Sequence, residues 1–241
     1  MTAVTARGRV RLQVREASSG LLVCERDVSN VMCTAGLNYL AQAALWSAVE
    51  DQNAAMGSPF TATYLAPIFG AVGSSAASTF TLAAAVAGGT NYTSVSAATS
   101  QNLPAGSYIT LGYGTNSVQT VEVPTAQVGT TVNTASFTAT ATFPSGSAVG
   151  VVTPGDTALG NELGRQVVVG GGSSSSPATW TVTFFYGTTP TPWTVTEAGL
   201  FVNATTAAAS GLLLDHAIVP ATTKGTGQTL TAQFTFSMGG Q

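Results

Sequence analysis

Glu197 is the residue whose surroundings most need a chemical explanation. It sits in the run WTVTEAGLFVN at 193–203, which is otherwise apolar or hydroxylated. Read as a strand, the alternation puts Trp193, Val195 and Phe201 on one side with Glu197 among them. A carboxylate on such a face is costly unless a cation or several donors meet it. Arg165, which ends DTALGNELGR at 156–165, is the cation expected to pair with it. The alternative is that both side chains are simply solvated.

The other groups able to do chemistry are few. A Ser-His-Asp relay would have to use His216, the one histidine of the chain, preceded by Asp215. Neighbours on a strand face opposite ways, so this pair does not itself make a relay. After the apolar run 212–214, His216 is expected at the surface. Glycoside hydrolysis needs two carboxylates at a set separation. Glu162 and Glu197 are the pair able to approach, yet Arg165 beside them suits a structural salt bridge better than a raised-pKa acid. Trp180, Phe184, Tyr186, Trp193 and Phe201 offer a sugar-stacking platform. The alternation over 180–186 instead suits a core face or a subunit contact. No G-x-S-x-G elbow and no phosphate loop with its lysine occurs. With a single His, and with Cys24 and Cys33 far from any His cluster, neither a metal nor a cofactor is expected, and both thiols are read as free.

Only 7% of the 241 residues are charged, against a usual quarter or so. At 44% hydrophobic content the chain holds enough apolar residues for a proper core. A net charge of −3 with a mean hydropathy of +0.30 does not fit disorder. The surface must be covered by hydroxyls, backbone and small apolar groups, which suits burial against neighbouring subunits. Five of the seven basic residues, Arg7, Arg9, Arg11, Arg15 and Arg26, fall within the first 26 positions. They alternate with Val10, Leu12 and Val14 and are interleaved with Glu16, Glu25 and Asp27. This reads as the solvated face of an edge strand, not as a nucleic-acid stripe. No apolar run is long enough to span a bilayer, and the first residues lack a signal peptide's apolar core. Synthesis in a cytoplasm follows, with no membrane and no nucleic acid as partner.

The elements that would position these residues are mostly strands. Residues 10–14 and 21–28 read as a hairpin around the turn at 17–20. Thr34 caps a helix over about 35–50, with Leu37, Leu40, Ala41, Ala44 and Leu45 at helical spacing. An apolar strand interrupted by Pro67 runs through 61–72. From 74 to 153 the only charge is Glu122, and short Thr/Val/Ala strands at 92–95, 108–111, 118–123, 132–137 and 148–152 suggest a small sandwich or barrel. Asp156 is read as capping a short turn that runs on to Leu163. Strands at 166–169, 180–186, 193–202, 212–218 and 229–237 follow, with 170–177 read as a flexible loop. The expected fold is mainly β: an antiparallel, sandwich-like outer domain with one helix, built from 1–73 and 154–241. A small β-sandwich or barrel of residues 74–153 is inserted at a loop tip.

Taken in order, NVMCTAGLNYL at 30–40, the apolar strand with Gly70 and Gly73, DTALGNELGR at 156–165, TEAGLF at 196–201 and the strand from Lys224 to Phe236 resemble a family of tailed-bacteriophage virion proteins. These are tail-fibre, minor-tail or simply structural proteins. The resemblance covers most of the outer domain. In that pattern the apolar strand runs almost directly into the DTAL segment, whereas this chain places roughly eighty residues between them, a domain-sized insertion. The insert is similar to small β modules of phage head and tail proteins. The resemblance implies a non-enzymatic virion subunit, a tail-fibre, adaptor or minor-tail component, that packs against other virion proteins and assembles as a homo-oligomer. Glu197 and Arg165 would form its structural ion pair, and Arg7, Arg9, Arg11, Trp180, Tyr186 and Trp193 its candidate interface. The alternatives are capsid decoration and a module that binds a host-surface glycan or receptor.

Overall fold

The computed structural model describes residues 4–33, 68–76, 78–175, 178–202, 204–208 and 210–240. Every regular element among them is a strand. The helix expected over about 35–50 and the first part of the strand expected over 61–72 lie outside the described residues.

The chain enters through the long hairpin β1 (Val4–Glu16) and β2 (Leu22–Met32), closed at Gly20 with φ 70°. That left-handed conformation carries no steric cost for glycine. Next come β3 (Ile68–Gly73), β4 (Ser78–Thr81), β5 (Asn91–Leu103), β6 (Ser107–Leu111), β7 (Gln119–Val123), β8 (Gln127–Thr138) and β9 (Ala148–Val152). The chain finishes with β10 (Glu162–Val167), β11 (Gly170–Ser175), β12 (Ala178–Tyr186), β13 (Trp193–Val202), β14 (Leu212–Lys224) and β15 (Gln228–Gly240). All pairings are antiparallel, and no sheet closes into a barrel. The stretch 170–177, expected as a flexible loop, instead supplies the edge strand β11, whose backbone pairs with β12 from Gly170↔Thr183 to Ser175↔Ala178. Small side chains do not stop a segment from filling an edge when a neighbouring strand offers its hydrogen bonds.

The largest sheet has nine strands in the order β10-β3-β13-β14-β2-β1-β15-β12-β11. β4 and β9 pair with β6 and β7 in a four-stranded sheet, while β5 and β8 pair alone. Thus the strands between Ser78 and Val152 make up the two smaller sheets and contribute nothing to the largest.

Period-two patterning decides which way each strand faces. Val10, Leu12 and Val14 turn inward from β1, as do Phe184 and Tyr186 from β12 and Leu230, Ala232 and Phe234 from β15. They share one core with Val72 of β3, Val195, Ala198 and Leu200 of β13, and Ala217 and Val219 of β14. Phe184 meets Phe234 edge to face at 5.8 Å, and a Cβ on Gly70 of β3 would overlap the Phe184 ring. The two ends of the nine-stranded sheet therefore meet across this core. A second core of Phe80, Ile109, Leu111, Val132, Phe143 and Val149 lies between the two smaller sheets and shares no residue with the first.

Candidate functional site

β13 carries the site at a point where its pairing is irregular. Its register with β14 slips between Val195 and Glu197, where Val195 faces Thr222 and Glu197 faces Ile218. Four residues of β14 thus span two of β13, so the extra residues lie on β14, and the facing of β13 changes across this irregularity. Val195 and Trp193 face the large core, but beyond the slip it is Ala198 and Leu200 that do so. Glu197, Gly199 and Phe201 are turned to the other side. There Phe201 joins a small cluster with Cys33, Phe69, Leu159 and Leu213. The unbroken alternation expected over 193–201, which placed Glu197 among Trp193 and Val195, does not hold for this reason.

Glu197 is fully buried and makes several polar contacts. Its Oε1 accepts hydrogen bonds from the backbone N–H groups of Gly160 (3.0 Å) and Asn161 (3.2 Å), and its Oε2 lies 3.0 Å from Nε2 of His216. The other ring nitrogen of His216, Nδ1, lies 2.8 Å from Oδ2 of Asp156. Asp156 in turn accepts from the backbone N–H of Thr153 (3.1 Å) and its hydroxyl (2.7 Å), so it caps the turn preceding it, not one running on to Leu163. A glycine makes the room. A Cβ on Gly73, directly opposite Glu197 on β3, would overlap Oε1 of that carboxylate. Gly199 lies opposite His216, and a Cβ there would crowd Leu159, Leu213 and Phe201.

The result is one imidazole between two carboxylates. Burial opposes protonation of His216, but its hydrogen bonds to Asp156 and Glu197 and their charges outweigh it and raise its pKa to about 9. At neutral pH the ring is therefore a cation donating from both nitrogens. For Asp156, burial favours the acid form, but the hydrogen bonds from His216 and Thr153 prevail and hold its pKa below the ordinary carboxylate range. Asp215 and Cys33 are also buried nearby. Burial, then the charges of Asp215 and Asp156, push the Cys33 thiol well above its ordinary pKa.

Arg165 does not meet Glu197. It is held by Glu162 three residues earlier, with Nε to Oε1 and NH2 to Oε2 both at 2.8 Å, a bidentate fork. Its NH1 donates to the Ser210 carbonyl at 2.7 Å, and the guanidinium stacks 3.9 Å above the centre of the Phe201 ring. Hence Glu162 and Glu197, the two acids weighed as a hydrolytic pair, serve different cations. His216, expected at the surface, is entirely buried. β14 is an interior strand buried on both faces over 213–220, so a residue following its apolar run does not reach solvent.

The candidate interface residues are scattered. Arg9 and Arg11 are exposed and both meet Asp27, at 3.0 and 3.5 Å. Arg7 lies on β1 opposite Ser237, and Trp180 on β12 opposite Phe236. Tyr186 is a core residue with 1% exposure, so it is not available as a contact surface. Its hydroxyl finds no hydrogen-bond partner, and burial pushes its pKa well above the ordinary value. Trp193 is half-buried: Tyr186 meets it edge to face at 6.1 Å, and Nζ of the fully buried Lys224 lies 5.1 Å from a ring centre.

A recess of about 170 Å³ lies between Tyr113, Thr115, Thr142 and Phe143. The hydroxyls of Thr115 and Thr142 already bond backbone groups of Gly112, Ser117 and Gly88. Among the described residues no group of three His, Cys, Asp or Glu side chains is arranged to hold a metal ion, and no helix is long and apolar enough to cross a membrane. The signal in the sequence for the cluster was the lone histidine together with Gly73, which leaves room for the buried acid. Comparison with family models, with curated proteins and with solved structures finds no match to this chain.

Proposed function

We propose that the protein is a non-enzymatic structural subunit of a tailed-phage particle, a tail-fibre, adaptor or minor-tail component working through its surfaces. In this reading the nine-stranded sheet folds over its core as a sandwich, and the two smaller sheets form a second, inserted sandwich. One observation carries the reading: five ionisable side chains of the C-terminal half are spent on one another inside the fold. Asp156, His216 and Glu197 form one such group, and Glu162 and Arg165 another. What remains outward is rich in Thr, Ser, Ala and Gln, and burying such a surface against a neighbour requires little desolvation of charge. Capsid decoration is the second reading. It is favoured by the smaller sheets, which have their own core and only Glu122 as a charge within 74–153.

Peptide mass mapping of purified particles, followed by reconstruction of the particle, tests both. Density for the nine-stranded sheet at the tail supports the first reading, and density on the shell supports the second. Absence of the chain from intact particles refutes both.

A further inference from the structure

The chain leaves the nine-stranded sheet at Gly73 and rejoins it at Glu162, so two connections carry the smaller sheets. Both are tied to the buried ionic cluster. On the return path Thr153 binds Asp156, Asp156 binds His216, and the amides of Gly160 and Asn161 bind Glu197. On the outgoing path the Ser74 amide donates to the Asn161 carbonyl at 2.9 Å, and Nδ2 of Asn161 donates to the Ser74 hydroxyl at 2.6 Å. The connector also buries Leu159 against Phe69, Phe201 and Leu213, and a few further ties join the two parts. The Tyr113 hydroxyl lies 3.2 Å from that of Thr196, the Ala221 amide donates to the Thr115 carbonyl at 2.9 Å, and Val152 packs against Ile218.

We propose that Asp156, His216 and Glu197 form a charge-operated latch that fixes the pose of the two smaller sheets on the larger one. With the imidazole protonated the connector 153–161 is clamped, and with it neutral the connector is released while both cores stay folded. The inference stands whether or not the chain belongs to a particle.

The chemistry of the ring drives it. As a cation, His216 donates to both carboxylates. A neutral imidazole has one N–H and one lone pair, so it loses one of the two bonds and points that lone pair at a buried carboxylate. Two acids then face each other with no cation between them. Among the described residues the groups around the ring offer no substitute. The connector brings Asp156, β13 brings Glu197, β14 carries Asp215 beside it, and the end of β2 leads to the Cys33 thiol. The Arg165 of β10 is engaged by Glu162. Because the raised pKa of His216 lies near 9, the latch is closed at neutral pH and opens as pH rises through that value. The lowered pKa of Asp156 keeps it closed into mild acid. The cores share no residue, so release of the connector need not unfold either one.

One histidine in the chain makes the test direct. Imidazole NMR signals of the full chain, labelled at histidine, should titrate near 9, and amide exchange across 153–161, corrected for the base-catalysed rate, should lose protection over the same range. At pH 7, H216Q should exchange Gly160 and Asn161 about tenfold faster or more, with β6, β9 and β15 unchanged. T153A, which removes one donor to Asp156, should show a smaller effect of the same kind. A histidine titrating near its ordinary value overturns the proposal. So does unchanged exchange at 153–161 in the wild type above pH 9, or loss of protection in both cores together. Should H216Q fail to fold, the wild-type titration and exchange decide the matter.

Discussion

Replacing His216 by Gln removes the cation from between Asp156 and Glu197 while keeping a side chain of similar size. The ordinary pKa of 6.5 rises to about 9 in the fold, and at about 1.4 kcal/mol per pH unit that difference is worth about 3 kcal/mol. This falls at the low end of the about 3–5 kcal/mol expected when one partner of a buried ion pair is removed. For a chain of this size the corresponding drop in Tm is about 6–12 °C. Because the folded-state pKa lies above the unfolded one, the contribution is complete below about pH 6.5 and is lost as pH rises through about 9. Wild type and H216Q should therefore differ at pH 6 and converge above pH 9. Urea unfolding followed by tryptophan fluorescence is the suitable assay. All three tryptophans, Trp46, Trp180 and Trp193, lie outside 74–153, so the signal follows the larger part of the molecule. A difference under about 1 kcal/mol at pH 6, or a gap that persists undiminished at about pH 10, refutes the reasoning.

Three further substitutions probe other features. Tyr186→Phe deletes a buried hydroxyl without a hydrogen-bond partner, so it should leave stability unchanged or raise it by about 1 kcal/mol in denaturant unfolding. A loss above that size would mean that the hydroxyl is bonded after all. Gly70→Ala drives a methyl into the Phe184 ring and should cost about 1–3 kcal/mol, whereas Gly89→Ala, where the surrounding space is open, should lose only the strain of its positive φ. Arg165→Gln breaks the fork to Glu162 and the stack on Phe201 and should cost about 3–5 kcal/mol in thermal unfolding. By contrast Arg9→Gln, at an exposed pair, should stay within about 1 kcal/mol of wild type.

Much of the fold could be read directly. Strands at 108–111, 118–123 and 148–152 correspond to β6, β7 and β9 within a residue, because short β-branched runs between turn signals leave the backbone few other solutions. The alternation over 229–237 likewise identified β15, whose Leu230, Ala232, Phe234 and Phe236 are buried. The edge strand β11 was not legible. GGGSSS carries no apolar pattern, and its pairing comes from the free hydrogen-bonding edge of β12. The site was legible in one respect only, that a carboxylate in the run 193–203 needs partners. Its actual partners come from positions 160, 161 and 216, the histidine being shared with Asp156, and sequence spacing carries no information about which of these meet.

Composition and periodicity by themselves determined a mainly β chain with a nearly charge-free middle and few groups fit for chemistry. These are local properties: residue type sets solvation, and period two sets the facing of an undisturbed strand. Which charges meet was decided only by the tertiary structure. An irregularity in the pairing of β13 with β14 changed the facing of Glu197, Gly73 cleared the space beside it, and the return of the chain at 153–161 brought two backbone amides to Glu197 and Asp156 to a histidine sixty residues further on. In a buried site the energy of a charge depends on distances of a few ångströms to whatever the fold places there, and those distances do not exist until the strands pair.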